Sequence, residues 1–261
     1  MTRPDDPEVM NLHTGRYAGG RALVVLGGTS GSDWDILKDE IKPDVILIGN
    51  GVNSMIRNAD YWMCAENMHR TFCKAQEGEQ RYIDIMEMFY RDAGAKTKLV
   101  SHRSWDLLKD TRNCIRIMRD KNHGSGPGET PDYFSFRKYG GGFLNGWLLK
   151  ATRVGALVHT GTVGLHLIHL AGILGCSEVH TIGYDLCFKN DNSHHWYPYP
   201  VYGIDGFRKK AMFTEYKGLK TQLVWVETMQ FLKEIQPLFV RDELKWQDHS
   251  HGLLEMEGIA Q

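Results

Sequence analysis

The chain has 261 residues, of which 42% are hydrophobic, and its 31 basic and 32 acidic side chains give a formal net charge of −1. This length fits one large α/β domain, and the apolar content excludes disorder of the whole chain. The near-neutral charge carries no electrostatic signature of a nucleic acid or an anionic membrane as partner.

The five cysteines are scattered, odd in number and without a Cys-x-x-Cys pair. This pattern favours reduced thiols over a disulfide framework or a zinc site. No apolar signal-peptide core occurs in the first 20 residues, and no apolar run reaches the roughly 18 residues of a membrane span. We therefore expect a soluble, cytoplasmic protein without a transmembrane segment. The sequence leaves open whether it forms a homo-oligomer.

Apolar runs alternate with helical patterns along most of the chain. Residues 1–20 are expected to form an irregular arm and residues 21–247 a single domain. The predicted strands before residue 185 cover 22–26, 45–49, 61–65, 98–101 and 179–184. Some of the gaps between them are too short for a full crossover helix. The pattern predicts an α/β, Rossmann-like, doubly wound and mostly parallel sheet.

The remaining segments complete this prediction. Apolar periodicity predicts helices over 77–94, after residue 162 and over about 209–234, and a closing strand over 237–240. The Gly-rich segment of about 120–146 predicts a flexible, lid-like insertion or a partner contact. A weakly structured C-terminal tail is expected over 248–261.

Two turns with small side chains follow predicted strands. The first is Gly27-Gly28-Thr29-Ser30, and the second is Thr160-Gly161-Thr162, which opens the helix after residue 162. Small side chains let the backbone approach a phosphate, and the free N–H groups of a helix N-terminus favour an anion. We expect one nucleotide to be held from both sides.

Polar side chains follow several of the same strands. Asn50 could read a base or ribose edge, or merely form an Asx-turn. Glu66 and Asn67 are expected at the same edge of the sheet as ligand contacts, whereas Asp60 is expected at the opposite end as a turn residue. Asp185 ends its strand, where a carboxylate could bind Mg²⁺, accept a ribose hydroxyl, act as a base or form a loop hydrogen bond.

Histidines occur in two different settings. The loop 194–199 joins His194 and His195 to Trp196, Tyr197 and Tyr199. Imidazole can move protons near neutral pH, and the aromatic rings can stack on a base or donate to phosphate. His166 and His169 instead share a face of a helix that is apolar nearly all round. We interpret them as core histidines rather than metal ligands.

In their order and type, these motifs resemble the family 42 sialyltransferases, the motility-associated flagellin glycosyltransferases and the archaeal MptE-like pterin pyrophosphokinases. The resemblance runs from about residue 21 to 240. It is carried by Gly27-Gly28-Thr29-Ser30, by Asn50, by Asp60-Tyr61-Trp62, by Thr160-Gly161-Thr162-Val163 and by Gly183-Tyr184-Asp185.

The resemblance implies a transferase that uses a CMP-activated sugar. In the sialyltransferases, tyrosines after the aspartate hold the donor phosphate, as Tyr197 and Tyr199 would here, and a more distal histidine acts as base. No histidine occurs between residues 207 and 220, so His194 or His195 would have to substitute. The MptE-like relatives imply a different reaction.

The first alternative, which the resemblance to the MptE-like proteins implies, is diphosphate transfer from ATP to a hydroxymethylpterin-like substrate. It needs Mg²⁺, for which Asp185 or Glu66 are the candidate ligands. A second alternative is a nucleotide-binding protein without catalysis, which the missing distal histidine would explain.

Overall fold

The computed structural model describes residues 15–64, 94–101, 114–117, 162–189, 195–196 and 213–260. The predicted helix over 77–94, apart from Gly94, and the lid-like insertion over 120–146 lie outside these residues.

Nine strands occur in the described part of the chain. In chain order they are β1 (Arg21–Val25), β2 (Val45–Gly49), β3 (Tyr61–Cys64), β4 (Thr97–Ser101), β5 (Cys114–Ile117), β6 (Glu178–Ile182), β7 (Phe213–Tyr216), β8 (Leu219–Gln222) and β9 (Lys245–Asp248). Seven of them form one sheet in the order β5-β4-β3-β2-β1-β6-β9, and every neighbouring pair is parallel. The predicted α/β, Rossmann-like architecture with a parallel sheet is therefore confirmed.

Four α-helices accompany the strands in the described residues. They are α1 (Trp34–Ile41), α2 (Val163–Ile173), α3 (Leu223–Arg241) and α4 (Leu253–Met256). Two 3-10 helices, Thr29–Asp33 and Asn50–Ser54, follow β1 and β2. The second of these occupies the short connection from β2 to β3, where the sequence leaves no room for a full crossover helix. None of the described helices is long and apolar enough to cross a membrane.

Helix α2 is the central element of the core. It contacts β1, β2 and β3, and every residue from Gly164 to Ile173 is buried. A helix that is apolar all round has no solvent face, which explains why it is enclosed on every side. His166 and His169 are 4% and 1% exposed, so the prediction that they are core histidines agrees with their positions.

The prediction for residues 209–240 is wrong in two places. Strands β7 and β8 form an antiparallel hairpin within the predicted helix, joined by Lys217 and Gly218, whose φ angles are 50° and 84°. Two consecutive left-handed residues give the turn twist that a two-residue hairpin requires. Helix α3 then continues through Pro237, where the sequence predicted a strand. Leu238 and Phe239, which follow Pro237 in α3, are buried in the core. Their burial outweighs the loss of the backbone hydrogen bond that proline cannot form.

The C-terminal segment is also more ordered than predicted. Helix α4 lies within the expected tail, and Leu253, Leu254 and Ile259 are at most 1% exposed. The backbone N–H of Asp248 donates to the carbonyl of Ala260 at 2.6 Å. The expectation of a weakly structured tail is therefore wrong, because this segment completes the core beside the edge strand β9.

Asp248, at the end of β9, has a buried carboxylate that accepts hydrogen bonds from β6 and from this segment. One carboxylate oxygen, Oδ1, accepts the hydroxyls of Thr181 at 2.5 Å and Ser250 at 2.9 Å. The other oxygen, Oδ2, is buried, and no described residue forms a hydrogen bond with it. Burial accordingly raises the pKa of Asp248 to about 7, above the ordinary value of 3.8. The folded protein therefore retains a proton that the unfolded chain releases.

The raised pKa of Asp248 leads to a testable prediction for the pH dependence of stability. Between pH 4 and 7 the native state binds more protons at Asp248 than the unfolded state, so this group contributes stability that is lost as the pH rises. The variant Asp248→Asn has no carboxyl group to titrate, so it does not lose stability in this way as the pH rises. We expect the free energy of unfolding of the variant, relative to wild type, to rise by about 2 kcal/mol from pH 5 to pH 8.

Urea unfolding at several pH values measures this difference. Comparison at each pH isolates Asp248 from His180, whose pKa burial lowers to about 4 and whose effect on stability has the opposite sign. A difference that is constant with pH would show that Asp248 is ionised in the folded protein throughout this range.

Candidate functional site

The strand order places a topological switch point between β1 and β6. Strand β1 pairs with β2, the next strand in the chain, on one side and with β6 on the other. In open α/β sheets, ligands bind outside the carboxyl ends of the strands at such a point, because the connections diverge to opposite faces. The predicted turn 27–30 and Asp185 both lie at this edge.

Asp185 ties the two loops of the switch point together. Its side chain accepts the hydroxyl of Thr29 at 2.8 Å and the backbone N–H of Ser30 at 3.0 Å on one oxygen, and the hydroxyl of Ser30 on the other. The residue is only 1% exposed. Of the roles that the sequence left open, the structure shows the loop hydrogen bond, with both carboxylate oxygens directed into the protein.

The turn after β1 is more closed than a phosphate cradle. The N–H groups of Gly28 and Ser30 donate to Gly183 and Asp185, and that of Gly31 donates to Gly28. A Cβ at Gly28 would lie 2.6 Å from the carbonyl oxygen of Gly183. The small residues here are therefore required by the close approach of two protein loops, and the expectation that the turn directs several N–H groups at a phosphate does not hold for these three.

Asn50 stands at the end of β2 with a left-handed backbone, φ 49°. The indole N–H of Trp62 donates to its carbonyl at 2.7 Å, which holds this conformation. Its side-chain Oδ1 is buried and has no hydrogen-bond partner within the described part of the chain. This excludes the Asx-turn, because that turn would satisfy Oδ1 through a backbone N–H. A buried acceptor without a donor is costly, which sets this oxygen apart from the other polar groups at this edge.

The N-terminus of α2 meets the ends of β1 and β2. A Cβ at Gly49 would lie 2.9 Å from Cγ1 of Val163 and 3.0 Å from Cδ2 of Leu26. This contact brings the positive end of the α2 dipole to Asn50 and to the turn after β1. The start of α2 is thus adjacent to the ends of β1 and β2, whereas Thr160 and Gly161 of the second predicted turn lie outside the described residues.

Part of this helix end is satisfied internally. The hydroxyl of Tyr184 lies 2.6 Å from Oγ1 of Thr162 and hydrogen-bonds the backbone of Leu165. Burial raises the pKa of Tyr184 far above its ordinary value, so the phenol stays neutral. Glycine at 164 accommodates the ring, since a Cβ there would lie 2.5 Å from Cζ of Tyr184. The phenol therefore caps one side of the first turn of α2.

His195 and Trp196 lie on the turn after β1. Nδ1 of His195 is 3.2 Å from the carbonyl oxygen of Gly27, to which the backbone N–H of Trp196 also donates at 3.2 Å. The indole N–H of Trp196 donates to the carbonyl of Leu26 at 3.0 Å. Both residues are partly exposed. The structure thus brings the predicted candidate His195 to the same edge as Asn50.

Other candidates are placed elsewhere or not described. Asp60 lies at the amino end of β3, where it accepts the N–H of Ile46 at 2.8 Å and the ammonium of Lys96 at 2.6 Å. It is the structural residue that the sequence predicted. The remaining candidates lie outside the described residues: Glu66, Asn67, Thr160, Gly161, His194, Tyr197 and Tyr199.

Asp185 does not fit the predicted magnesium site. Mg²⁺ binds oxygen ligands that face it with free lone pairs, whereas the carboxylate here is buried and accepts three hydrogen bonds. Within the described residues, no group of three or more His, Cys, Asp and Glu side chains is arranged to hold a metal ion.

The sequence indicates only a stacking role for Trp196, and it does not identify Gly252 as a residue that shapes this edge. Trp196 anchors the loop that contains His195, which we call the histidine loop. The only sequence signal for this role is an aromatic residue next to a candidate base. Gly252 lets the C-terminal segment reach Asp185, because a Cβ there would lie 2.2 Å from the Asp185 carbonyl oxygen. That carbonyl accepts the N–H of Leu253 at 2.9 Å. No local pattern marks such a long-range contact.

Comparisons with known proteins identify no family for this chain. No family model matches it, and no curated protein matches it either.

The role of Asp185 in holding the switch point is testable by stability. The variant Asp185→Ala leaves the buried donors of Thr29 and Ser30 without acceptors. We expect it to lower the free energy of unfolding by roughly 3 kcal/mol in the absence of any ligand. Denaturant unfolding measures the loss.

The matched control is Asp39→Ala, which removes an exposed carboxylate from α1 and is expected to change stability by at most about 0.5 kcal/mol. Equal stability of the two variants would contradict the structural role of Asp185.

Proposed function

We propose that this protein is a nucleotide-dependent transferase, and specifically a glycosyltransferase that uses a CMP-activated sugar. The observation that carries the proposal is Oδ1 of Asn50, which has no hydrogen-bond partner among the described residues and lies at the end of β2, beside the N-terminus of α2. A nucleotide offers groups for each part of this arrangement.

The amide oxygen of Asn50 requires a hydrogen-bond donor. A cytosine amino group or a ribose hydroxyl supplies one, and an apolar ligand does not. The positive end of the α2 dipole favours a nearby phosphate. These two features support a ligand that joins a donor-bearing nucleoside to an anionic group, as a CMP-sugar does.

In the proposed reaction, the acceptor hydroxyl attacks the anomeric carbon of the sugar. The bond from that carbon to the phosphate oxygen breaks, and CMP leaves with the bonding electron pair. His195 takes the proton of the attacking hydroxyl as general base. His194, Tyr197 and Tyr199 belong to the same proposal as neighbours of this histidine in the sequence, with the tyrosines on the departing phosphate.

The acceptor is a small molecule or a glycan in this proposal, because the net charge of −1 offers no general attraction for nucleic acid. The proposal includes a cytoplasmic location. The unpaired thiols of Cys176 and Cys187 support it, since such thiols are typical of a reducing compartment.

Thermal-shift measurements with CMP, CDP and ATP, each with and without Mg²⁺, test the nucleotide preference. We expect CMP to raise the Tm of the protein without Mg²⁺, because ligand binding to the native state stabilises it. Stabilisation by ATP only in the presence of Mg²⁺ would instead support diphosphate transfer. If no nucleotide raises the Tm, the proposal fails.

The variant Asn50→Gly tests whether the side chain of Asn50 binds the nucleotide. Glycine tolerates the left-handed backbone at this position, so this substitution removes the side-chain amide without straining the backbone. We expect the affinity for CMP to fall about tenfold, the equivalent of one hydrogen bond, as measured by isothermal titration calorimetry.

Lys42→Gly is the matched control, since Lys42 is exposed, has φ 52° and ends α1 at the opposite edge of the sheet. This control should bind CMP like the wild type. Unchanged binding by Asn50→Gly would remove Asn50 from the site.

A further inference from the structure

We infer that Trp196 is a positioning residue, whose indole N–H holds His195 on the Gly27 carbonyl so that the ring carries its proton on Nδ1 and its lone pair on Nε2. This inference rests on the proposed function for its catalytic meaning, but the geometry that carries it does not involve a ligand.

The first step is the chemistry of the contact between His195 and Gly27. A carbonyl oxygen can accept a hydrogen bond but cannot donate one, so Nδ1, at 3.2 Å from it, is the donor. In the neutral ring the lone pair is then on Nε2. The Gly27 carbonyl selects one tautomer, as the orienting partner of a catalytic histidine does.

The second step is that this contact is not strong enough to hold the ring alone. The separation of 3.2 Å is at the long end of the range for N–H···O bonds, and the same oxygen also accepts the backbone N–H of Trp196. His195 is partly exposed, so water competes for Nδ1. A neighbouring residue that is anchored to the same turn would hold the ring more firmly.

Trp196 supplies that fixation. Its indole N–H donates to the Leu26 carbonyl at 3.0 Å, at the carboxyl end of β1. The ring lies so close to Gly31 that a Cβ there would be 2.4 Å from Nε1. Side chain and backbone of one residue therefore bind two successive carbonyls, Leu26 and Gly27. Because His195 is its immediate neighbour, this anchor determines where the imidazole lies.

The structure thus gives the carbonyls and the N–H groups of the turn after β1 different functions. The N–H groups of Gly28 and Ser30 bind the loop after β6, whereas the carbonyls of Leu26 and Gly27 bind the histidine loop. A displacement of about 1 Å at a reacting group can reduce the rate on the order of a hundredfold, so an anchor of this kind affects catalysis without contacting substrate.

The variant Trp196→Phe tests the inference, because it keeps an aromatic ring and removes the N–H donor. Histidine nitrogens are observed by long-range ¹H–¹⁵N correlation at pH 8 in uniformly ¹⁵N-labelled protein, and His195→Asn assigns the signal. We expect the Nδ1–H tautomer in the wild type and a mixture with the Nε2–H form in Trp196→Phe. An Nε2–H tautomer in the wild type, or no change in the variant, would overturn the inference.

Trp246→Phe is the matched control. It also loses one indole hydrogen bond, from Trp246 to the hydroxyl of Thr181 at 3.1 Å, but leaves the histidine loop untouched. We expect it to keep the wild-type tautomer of His195. A tautomer change of equal size in this control would show a general effect of destabilisation and would also overturn the inference.

Release of CMP from CMP-N-acetylneuraminic acid gives the catalytic readout. In Trp196→Phe we expect kcat to fall about 10- to 100-fold while the Kd for CMP stays within about twofold of wild type. Parallel loss of kcat and CMP affinity would indicate a merely structural role and would contradict positioning. If the wild type neither binds CMP nor releases it, the proposed function fails, and the tautomer measurement still decides whether Trp196 positions His195.

Discussion

The hydrogen bonds to the Asp185 carboxylate are the constraint on which the candidate site depends. They join the turn after β1 to the loop after β6 across 155 residues of sequence, at the point where the sheet topology reverses. The carbonyl of the same residue receives the N–H of Leu253 from the C-terminal segment. Three distant parts of the chain therefore meet at one residue. The satisfied polar groups fix their relative positions, since a buried group left unpaired would be costly.

This constraint changes the interpretation of the glycine-rich turn. Small residues at the end of β1 suggest room for a phosphate. In the structure, however, Gly183 fills the space beside Gly28, and Trp196 fills the space beside Gly31. The proposed ligand contact is one strand further along, where Oδ1 of Asn50 has no hydrogen-bond partner among the described residues and lies beside the start of α2. The turn supports the site through its neighbours, because it positions both the end of β6 and the histidine loop.

The sequence predicted the elements whose signals are local. Apolar runs identified strands β1, β2 and β6, and the small residues before α2 identified the start of that helix. The hairpin was missed although Lys217-Gly218 is a recognisable two-residue turn, because charged residues around it also fit a helix. Pro237 was predicted to begin a closing strand, but it lies within α3, where burial of its neighbours overrides its local preference. The pairing of Asp185 with Ser30 depends on tertiary contacts that no periodicity reveals.

The position of β1 between β2 and β6 has a consequence for how the chain folds. Strand β1 is synthesised long before its partner β6, because their pairing requires residue 178 and the closure over Asp185 requires residue 253. Until then, one edge of β1 exposes unsatisfied N–H and carbonyl groups along an apolar strand. Such edges recruit other chains and promote aggregation. The late synthesis of these partners therefore prolongs the time for which the edge of β1 is open to other chains.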